Sequence, residues 1–193
     1  MDATEFWRGS FGTEYTQRNR VNVLQRVPFW SAMLGITQAR SVLEVGCNAG
    51  WNLRALRSVD SKLDLVGVDL NRDALAEAEA AGLDVHQMNG SEVADVWPQH
   101  FDLVFTAGVL IHVPTEDLGA VMRSIADASK RYVIAVEYAA SREEAVEYRG
   151  HTDRLWRRPF GALYEDAGLK IIATGPLLKA QGFDDCHYWL LTK

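Results

Sequence analysis

The sequence predicts a single α/β domain: a mostly parallel, twisted, seven-stranded sheet with one antiparallel strand, preceded by an N-terminal helical lid. Two observations carry this. From residue 41 onward, short apolar runs alternate with helix-like segments, an order that calls for crossover helices and therefore a parallel sheet covered on both faces. Near the C-terminus, two further runs lie close enough to pair as an antiparallel return. At 193 residues the chain has length for one full core. We divide it into a lid, 1–40, and a core, 41–193.

Taken in order, the lid begins with the aromatic and arginine-rich "EFWRGSFGTEYTQRNR". It continues with "VNVLQRVPFWSAML", where Val23, Val27 and Trp30 mark a helical face that Pro28 should interrupt. Five strands follow: "SVLEVG" (41–46), "LDLVGVD" (63–69), "LDVHQM" (83–88), "FDLVFT" (101–106) and "RYVIAV" (131–136). Each is short, apolar and closed by a turn or polar residue. Their near-continuous apolar character fits burial on both faces. Between them, "NRDALAEAEAAG" reads as a helix with Asn71 as N-cap, Leu75, Ala78 and Ala81 on one stripe, and Gly82 as terminator. In "PTEDLGAVMRSIADAS", Leu118, Val121, Met122 and Ile125 fall at helical spacing behind Thr115 as cap. The C-terminal pair is "LKIIATG" and "CHYWLLTK". Trp156, Phe160, Leu163 and Tyr164 have core-like spacing.

Apolar residues make up 48% and charged residues 24%, which excludes a disordered or fibrous chain. No apolar run approaches the ~20 residues that span a bilayer, and "MDATEFWRGS" lacks the basic start and apolar stretch of a signal peptide. A cytoplasmic location is the expectation. Cys47 and Cys186 have no metal-ligand spacing and are expected as free thiols, so no metal is expected. A net charge of -6 disfavours nucleic acid as partner, although a local basic patch can overrule a global sum. Oligomeric state is open.

The turn that leaves the first strand, "EVGCNAG", is the most informative stretch. It sits at the carboxyl edge of the sheet, where open α/β folds bind ligands. Glycines there admit a ligand close to the backbone, and the next helix presents free N–H groups. A nicotinamide fingerprint wants glycine at the first, third and sixth positions, but Asn48 fills the third and Trp51 the sixth. The Walker pattern is absent. Asp69 ends the next strand about 20 residues past the last glycine, the spacing of an acid that grips ribose hydroxyls. Glu44, ahead of the turn, would repel a pyrophosphate and suit a cation.

"VLEVGCNAG", "VGVDLN", "NGSEV" and "FDLVFTAGVLIHV" resemble the successive motifs of the class I S-adenosylmethionine-dependent methyltransferases, over roughly residues 40–140. That resemblance implies a Rossmann-like fold and S-adenosylmethionine as cofactor. It also implies that Glu44, Gly46, Asn48 and Gly50 line the methionine and ribose part, and that Asp69, followed by Leu70 and Asn71, holds the ribose hydroxyls. Asn89, Gly90 and Ser91 stand in the adenine motif, where no aspartate is present; Ser91 could accept the adenine amino group or cap a short helix. Asn48 departs from the more usual glycine at a position where Asn tolerates left-handed backbone. "EFWRGSFGTEYTQRN", "GVLIHV", "EYRGHTDRLWRRPFG" and "GFDDCHYWLLTK" are further similar to the small methyltransferases associated with pseudaminic acid biosynthesis, a name that records genomic company more than a substrate.

Methyl transfer from a sulfonium is an in-line displacement, so a protein must align two reactants and exclude water. An alcohol or ammonium acceptor also needs a base, and histidine is the usual candidate. His112, just beyond the fourth strand, is the first candidate and His151 the second, while His86 and His100 read as structural. Tyr148 and Tyr138 could offer a hydroxyl to orient the acceptor. Tyr15, Arg18 and Asn19 could close the lid over the cofactor, with Arg18 on its carboxylate. Arg149, Arg154, Arg157 and Arg158 form a basic run that could bind an anionic substrate or could be a solvated face.

The expected activity is methylation of an O or N atom on a small metabolite, with sugars, carboxylates, phosphonates and amines as acceptors. Another chemistry on the same cofactor, such as cyclisation, and a non-catalytic cofactor-binding subunit stay open, because fold does not fix reaction. Methylation of a nucleic acid or protein is a weaker third option.

Overall fold

A computed structural model describes residues 3–193; the first two residues of the segment 1–40, and of the N-terminal stretch read for a signal peptide, lie outside the described residues. The order of elements follows the sequence expectation. α1 (Ala3–Arg8), α2 (Ser10–Arg18) and α3 (Val23–Thr37) lead into β1 (Ser41–Val45), α4 (Trp51–Val59), β2 (Asp64–Asp69), α5 (Arg72–Ala80) and β3 (Asp84–Gln87). Then come α6 (Val93–Val96), β4 (Phe101–Ala107), α7 (Thr115–Ala128) and β5 (Ser129–Glu137). The chain closes with a small hairpin of β6 (Glu144–Ala145) and β7 (Trp156–Arg157), then α8 (Phe160–Asp166), β8 (Lys170–Leu177) and β9 (Cys186–Thr192).

The main sheet has seven strands in the order β3-β2-β1-β4-β5-β9-β8. The pairings β3–β2–β1–β4–β5 are parallel, while β9 runs antiparallel to both β5 and β8. The order reverses between β1 and β4, which opens a crevice beyond their carboxyl ends. Successive side chains of the inner strands enter opposite layers. Leu43, Val45 and Val104 join a core with α7 and α8; Val42, Leu103 and Phe105 join another with α3, α4 and α5. Pro176 is tolerated because β8 is an edge strand. Both cysteines are free, as expected. Among the described residues no helix is long and apolar enough to cross a membrane.

Four local expectations are corrected. α3 runs unbroken through Pro28. The carbonyl that Pro28 leaves without a donor belongs to Leu24, which is 74% exposed, so water can satisfy it. The buried face of α3 is Phe29, Trp30, Met33 and Thr37, with Val23 and Val27 only half-buried. The stripe of α5 is Ala74, Leu75 and Ala78; Ala81 lies past the helix end and is exposed. Pro114, not Thr115, occupies the cap of α7, and the Thr115 hydroxyl instead meets Glu143 and Arg158. Asn71 does cap α5, accepting from the Ala74 N–H at 3.0 Å, and Gly82 follows that helix at φ +76°.

Candidate active site

The turn after β1 is held by its neighbours rather than by its own bonds alone. Gly46 has φ +75°, and a Cβ there would come within 2.3 Å of Val109. Only glycine therefore lets β1 and the turn after β4 approach. Asn48 is left-handed at φ 49°. Its N–H donates to Asp69 Oδ2 at 2.8 Å, and its side-chain amide donates to the Thr16 hydroxyl of α2 at 2.7 Å. The asparagine at this place ties the turn after β1 to α2, a bond that glycine could not make. Gly50 precedes α4 at φ +73° with Leu83 packed where its Cβ would be, so its place is in the support of the turn and not in the cavity lining.

Glu44 shares the face of Val42, toward α3 and α4. It is 2% exposed, and its Oε1 accepts from Asn52 Nδ2 at 2.7 Å. Asn52 Oδ1 in turn accepts from Arg26 Nη1 at 2.8 Å and Trp30 Nε1 at 3.2 Å. Glu44 lines the cavity, and its second carboxylate oxygen, Oε2, is buried without a hydrogen-bond partner among the described residues, as are the Nε1 atoms of the cavity-lining Trp7 and Trp51. A buried orphan acceptor is costly unless a ligand supplies a donor. Across the turn, Asp69 accepts the N–H groups of Asn48 and Asn71, each at 2.8 Å. Burial nevertheless raises its carboxyl above the ordinary range. A carboxylate has lone pairs left for two hydroxyls.

Tyr15, Leu70, Asn89 and Gly90 complete this lobe with Glu44, Gly46, Asn48 and Asp69. A Cβ on Gly90 would come within 2.8 Å of Val45, so glycine keeps the third motif against β1. Asn71 and Ser91 are elsewhere. The Asn71 amide is buried under the lid, within 3.4 Å of the Trp7, Arg8 and Gly9 carbonyls. Ser91 is exposed in a short 3-10 turn whose cap is Asn89, and its hydroxyl donates to Asn89 Oδ1. The helix-cap alternative for Ser91 thus belongs to Asn89.

Arg18 lines neither part of the cavity. It lies over the Phe11 and Tyr15 rings with Glu14 at 3.8 Å. The cation that does face the cavity is Arg26, held by Gly182 O, Asn52 Oδ1 and the Phe183 ring. Sequence reading missed it because a lone arginine on a helix has no motif. Trp7 was missed for the same reason.

A second lobe continues from the first through Tyr15, Asn19, Arg26, Gly108 and His112, and is walled by Glu137, Tyr138, Tyr148 and Arg149. His112 stands at the junction. Its Nδ1 lies 2.7 Å from the Arg154 carbonyl, which can only accept, so Nδ1 carries the proton and Nε2 keeps a lone pair. Burial brings its pKa down to about 4, so the ring is neutral throughout the physiological range. The Trp7 and Tyr148 rings flank it at 4.5 and 5.3 Å between centroids. Tyr15 is pushed up to about 12 by burial and by Tyr148, and remains a hydroxyl donor. His151 lines neither lobe, its ring edge-on to Phe6 at 5.1 Å and near Phe11 at 6.0 Å.

The basic run disperses. Arg158 is completely buried, donating to Leu110 O, Val113 O, Thr115 and Glu143. Arg154 pairs with Asp153 and lies over Phe6, and Arg157 is exposed. Of the run, only Arg149 lines the second lobe. Among the described residues no cluster of metal ligands occurs.

Fold and site define a Rossmann-like α/β protein whose cavity beyond β1 and β2 opens into a second lobe. Residues 42–131 match the model of a family described as a methyltransferase domain. With that match, the chain is a methyltransferase enzyme that uses S-adenosylmethionine. Magnesium protoporphyrin IX methyltransferase from Synechocystis PCC 6803, solved with bound S-adenosylmethionine, is 16% identical with TM-score 0.73, over 100% of this chain and 98% of that one. The 1,6-didemethyltoxoflavin-N1-methyltransferase of Burkholderia thailandensis is 13% identical with TM-score 0.72, over 95% and 82%. A methyltransferase from Archaeoglobus fulgidus is 14% identical with TM-score 0.69, over 95% and 100%. These likenesses establish the fold. No curated protein sequence matches the chain.

The donor set fits that cofactor: Glu44 carries a buried acceptor oxygen without a partner, which an ammonium would satisfy, and Asp69 lines the same lobe with lone pairs that ribose hydroxyls would use. A pH dependence follows. Burial pushes the Glu44 carboxyl up to about 8 against the opposing pull of Asn52 and Arg26. An ammonium on Oε2 favours the charged form and lowers that value again. Below it, binding must expel a proton, so affinity should climb with pH toward that value by up to about tenfold per unit. Calorimetry between pH 6 and 7.5, in two buffers of unequal ionisation heat, should show proton release for the native protein and none for Glu44→Gln. Binding that takes up protons, or ignores pH, would refute the role.

Proposed function

We propose that the protein methylates an O or N atom of a small anionic metabolite in the cytoplasm, as a step of small-molecule biosynthesis. The observation that carries this is the position of His112, with an available Nε2, where the cofactor lobe meets a second lobe bordered by unpaired positive charge. The porphyrin and toxoflavin methyltransferases of similar fold act on small molecules and support that class. The narrower likeness to the pseudaminic acid-associated methylases is kept as part of the proposal, on the N- and C-terminal stretches that carry it. The first 40 residues serve as the lid, α1 and α2 over the cofactor turn through the Asn48–Thr16 and Asn71 bonds.

S-adenosylmethionine supplies a methyl carbon on a sulfonium: the acceptor's lone pair forms the new bond while the C–S pair returns to sulfur, leaving S-adenosylhomocysteine. The protein's share is alignment, dehydration and removal of one proton. Glu44 takes the ammonium, Asp69 the ribose, and Arg26 the carboxylate that the aromatic and cationic N-terminal stretch suggested for Arg18. His112 Nε2 receives the acceptor's proton, and Tyr15 and Tyr148 orient the acceptor by hydroxyl donation.

Charge around the second lobe indicates the acceptor's character. Arg20 is paired with Glu77, and Lys179 with Asp184 and Asp185. Arg149 has no carboxylate partner among the described residues. It is left-handed at φ 52° beside Gly150 at φ 80°, in the tight turn closed by Tyr148 and His151. That conformation favours Asn or Gly over a long side chain, so the arginine is held against local preference, as at sites of recognition. We assign it to an anionic group of the acceptor.

The test is profiling against amino sugars, carboxylates, phosphonates and amines, read by S-adenosylhomocysteine release and the mass of the product. Arg149→Gln should raise KM for an anionic acceptor about tenfold, consistent with one charge-assisted bond, and leave kcat unchanged. Turnover confined to neutral acceptors would sink the anionic assignment. A different adenosine-containing by-product would replace methyl transfer by another chemistry, and binding without turnover would leave a cofactor-binding subunit.

A further inference from the structure

The short 3-10 turn Leu110–His112, which carries the imidazole, is gripped at both ends by a buried polar side chain: the Glu137 carboxyl, which burial pushes up to about 7, and the Arg158 guanidinium. On its amino side, Glu137 at the end of β5 is 0% exposed. Its Oε1 accepts the N–H groups of Val109 and Leu110 at 3.3 and 3.2 Å, and its Oε2 accepts that of Ile111 at 3.3 Å. On the carboxyl side, the buried guanidinium of Arg158 donates through Nη1 to Leu110 O at 3.0 Å and Val113 O at 2.9 Å. Of the other three N–H groups of Arg158, one on Nη2 donates to Thr115 at 3.1 Å and that on Nε to Glu143 at 2.6 Å.

The signs match the turn. Free N–H groups make the start of a helical turn positive and free carbonyls make its end negative, so a carboxylate at the first and a guanidinium at the second both gain. Three residues of 3-10 structure have too few internal bonds to fix themselves. Burying two ions is also costly, and an apolar pair of similar volume would stabilise the fold at least as well. What the ions add is direction: each bond fixes where one backbone group of the turn lies. Arg158 and the Arg154 carbonyl that receives Nδ1–H belong to one segment, so the grip that places the turn also brings His112 to its acceptor.

We infer that Glu137 and Arg158 are positioning residues that hold the His112 turn as a clamp and thereby fix the imidazole in its Nδ1–H form with Nε2 toward the acceptor lobe. This rests on the methyltransferase reading for its use in turnover, but the state of the imidazole can be read with no acceptor present. Neither residue itself lines the cofactor lobe, although Val109 and Val113, whose backbone they hold, do, so their loss should change cofactor affinity only slightly while the tautomer reports the clamp directly.

Histidine selectively labelled with 15N, in protein saturated with S-adenosylhomocysteine at pH 7, separates the two tautomers of each ring, and loss of one signal in His112→Gln assigns His112. The native protein should show the Nδ1–H form alone. Glu137→Gln, which turns an NH2 donor toward backbone donors, and Arg158→Lys, which removes the fork, should each give a mixture of tautomers. Each should keep S-adenosylhomocysteine affinity within about twofold of native, while kcat falls by tens of fold, the order of effect that a small misplacement produces. The solvent-accessible Glu143→Gln, which loosens Arg158 from the surface side, decides by the same reading should a buried variant fail to fold. An unchanged Nδ1–H signature in the folded variants would overturn the clamp, as would a native protein that holds the other tautomer. Failure of acceptor profiling alone would overturn the function and leave the clamp standing.

Discussion

Replacing His112 by alanine is expected to lower methyl transfer by about 10²- to 10⁴-fold, the usual worth of a positioned general base, while cofactor binding persists. Nε2 is the one basic atom identified at the junction of the two lobes with its tautomer fixed by a carbonyl acceptor. Alanine also strands the Arg154 carbonyl, a loss of about 1–3 kcal/mol in stability if water cannot reach it. His112→Gln separates these effects, because a glutamine amide can still donate to that carbonyl but cannot take a proton at neutral pH. Both variants should lose turnover, and only alanine should melt earlier. Because burial holds His112 near 4 rather than 6.5, a Glu137→Gln variant, which lacks the clamp group that burial brings to about 7, should show no break in kcat as pH crosses 6.5. Single-turnover release of S-adenosylhomocysteine measures all of this, and native rates in either folded variant would remove His112 from the mechanism.

Asp69→Asn should weaken S-adenosylmethionine binding by about a hundredfold. The carboxylate lines the cavity, where the proposal gives it the ribose, and it fixes the turn through Asn48 and Asn71. Each charge-assisted bond lost is worth about 1.5–3 kcal/mol, and about 2.8 kcal/mol corresponds to a hundredfold. The introduced NH2 also faces one of two backbone donors that previously had an acceptor. Calorimetry should show the affinity loss, with the thermal midpoint reporting the turn separately. Native affinity in a folded Asp69→Asn protein would place the ribose elsewhere.

The strands, the period of α7 and the period and caps of α5 were legible because they are written in neighbouring residues, as Asn71, Leu75 and Gly82 illustrate. The places where the reading failed were those in which something distant in the chain, or solvent, decided. Water at an exposed carbonyl lets α3 pass Pro28, and Glu143 with Arg158 takes the hydroxyl of Thr115 away from its cap. The basic run looked like one surface feature. Its members scatter because a short hairpin and the start of α8 turn successive residues to different environments, and Arg158 ends as a buried structural cation.

By itself the sequence determined the strand order's local ingredients, the left-handed, glycine-bearing turn, and the two carboxylates set around it. Those depend on backbone conformation and spacing over a few residues, which identity alone constrains. Only the tertiary structure decided that Arg26 rather than Arg18 faces the cavity, that His151 packs on the lid aromatics, and that His112 stays neutral beside a second lobe. Each of these is a property of segments far apart in the chain meeting in one place, where burial and hydrogen-bond partners are set by packing and not by neighbours in sequence.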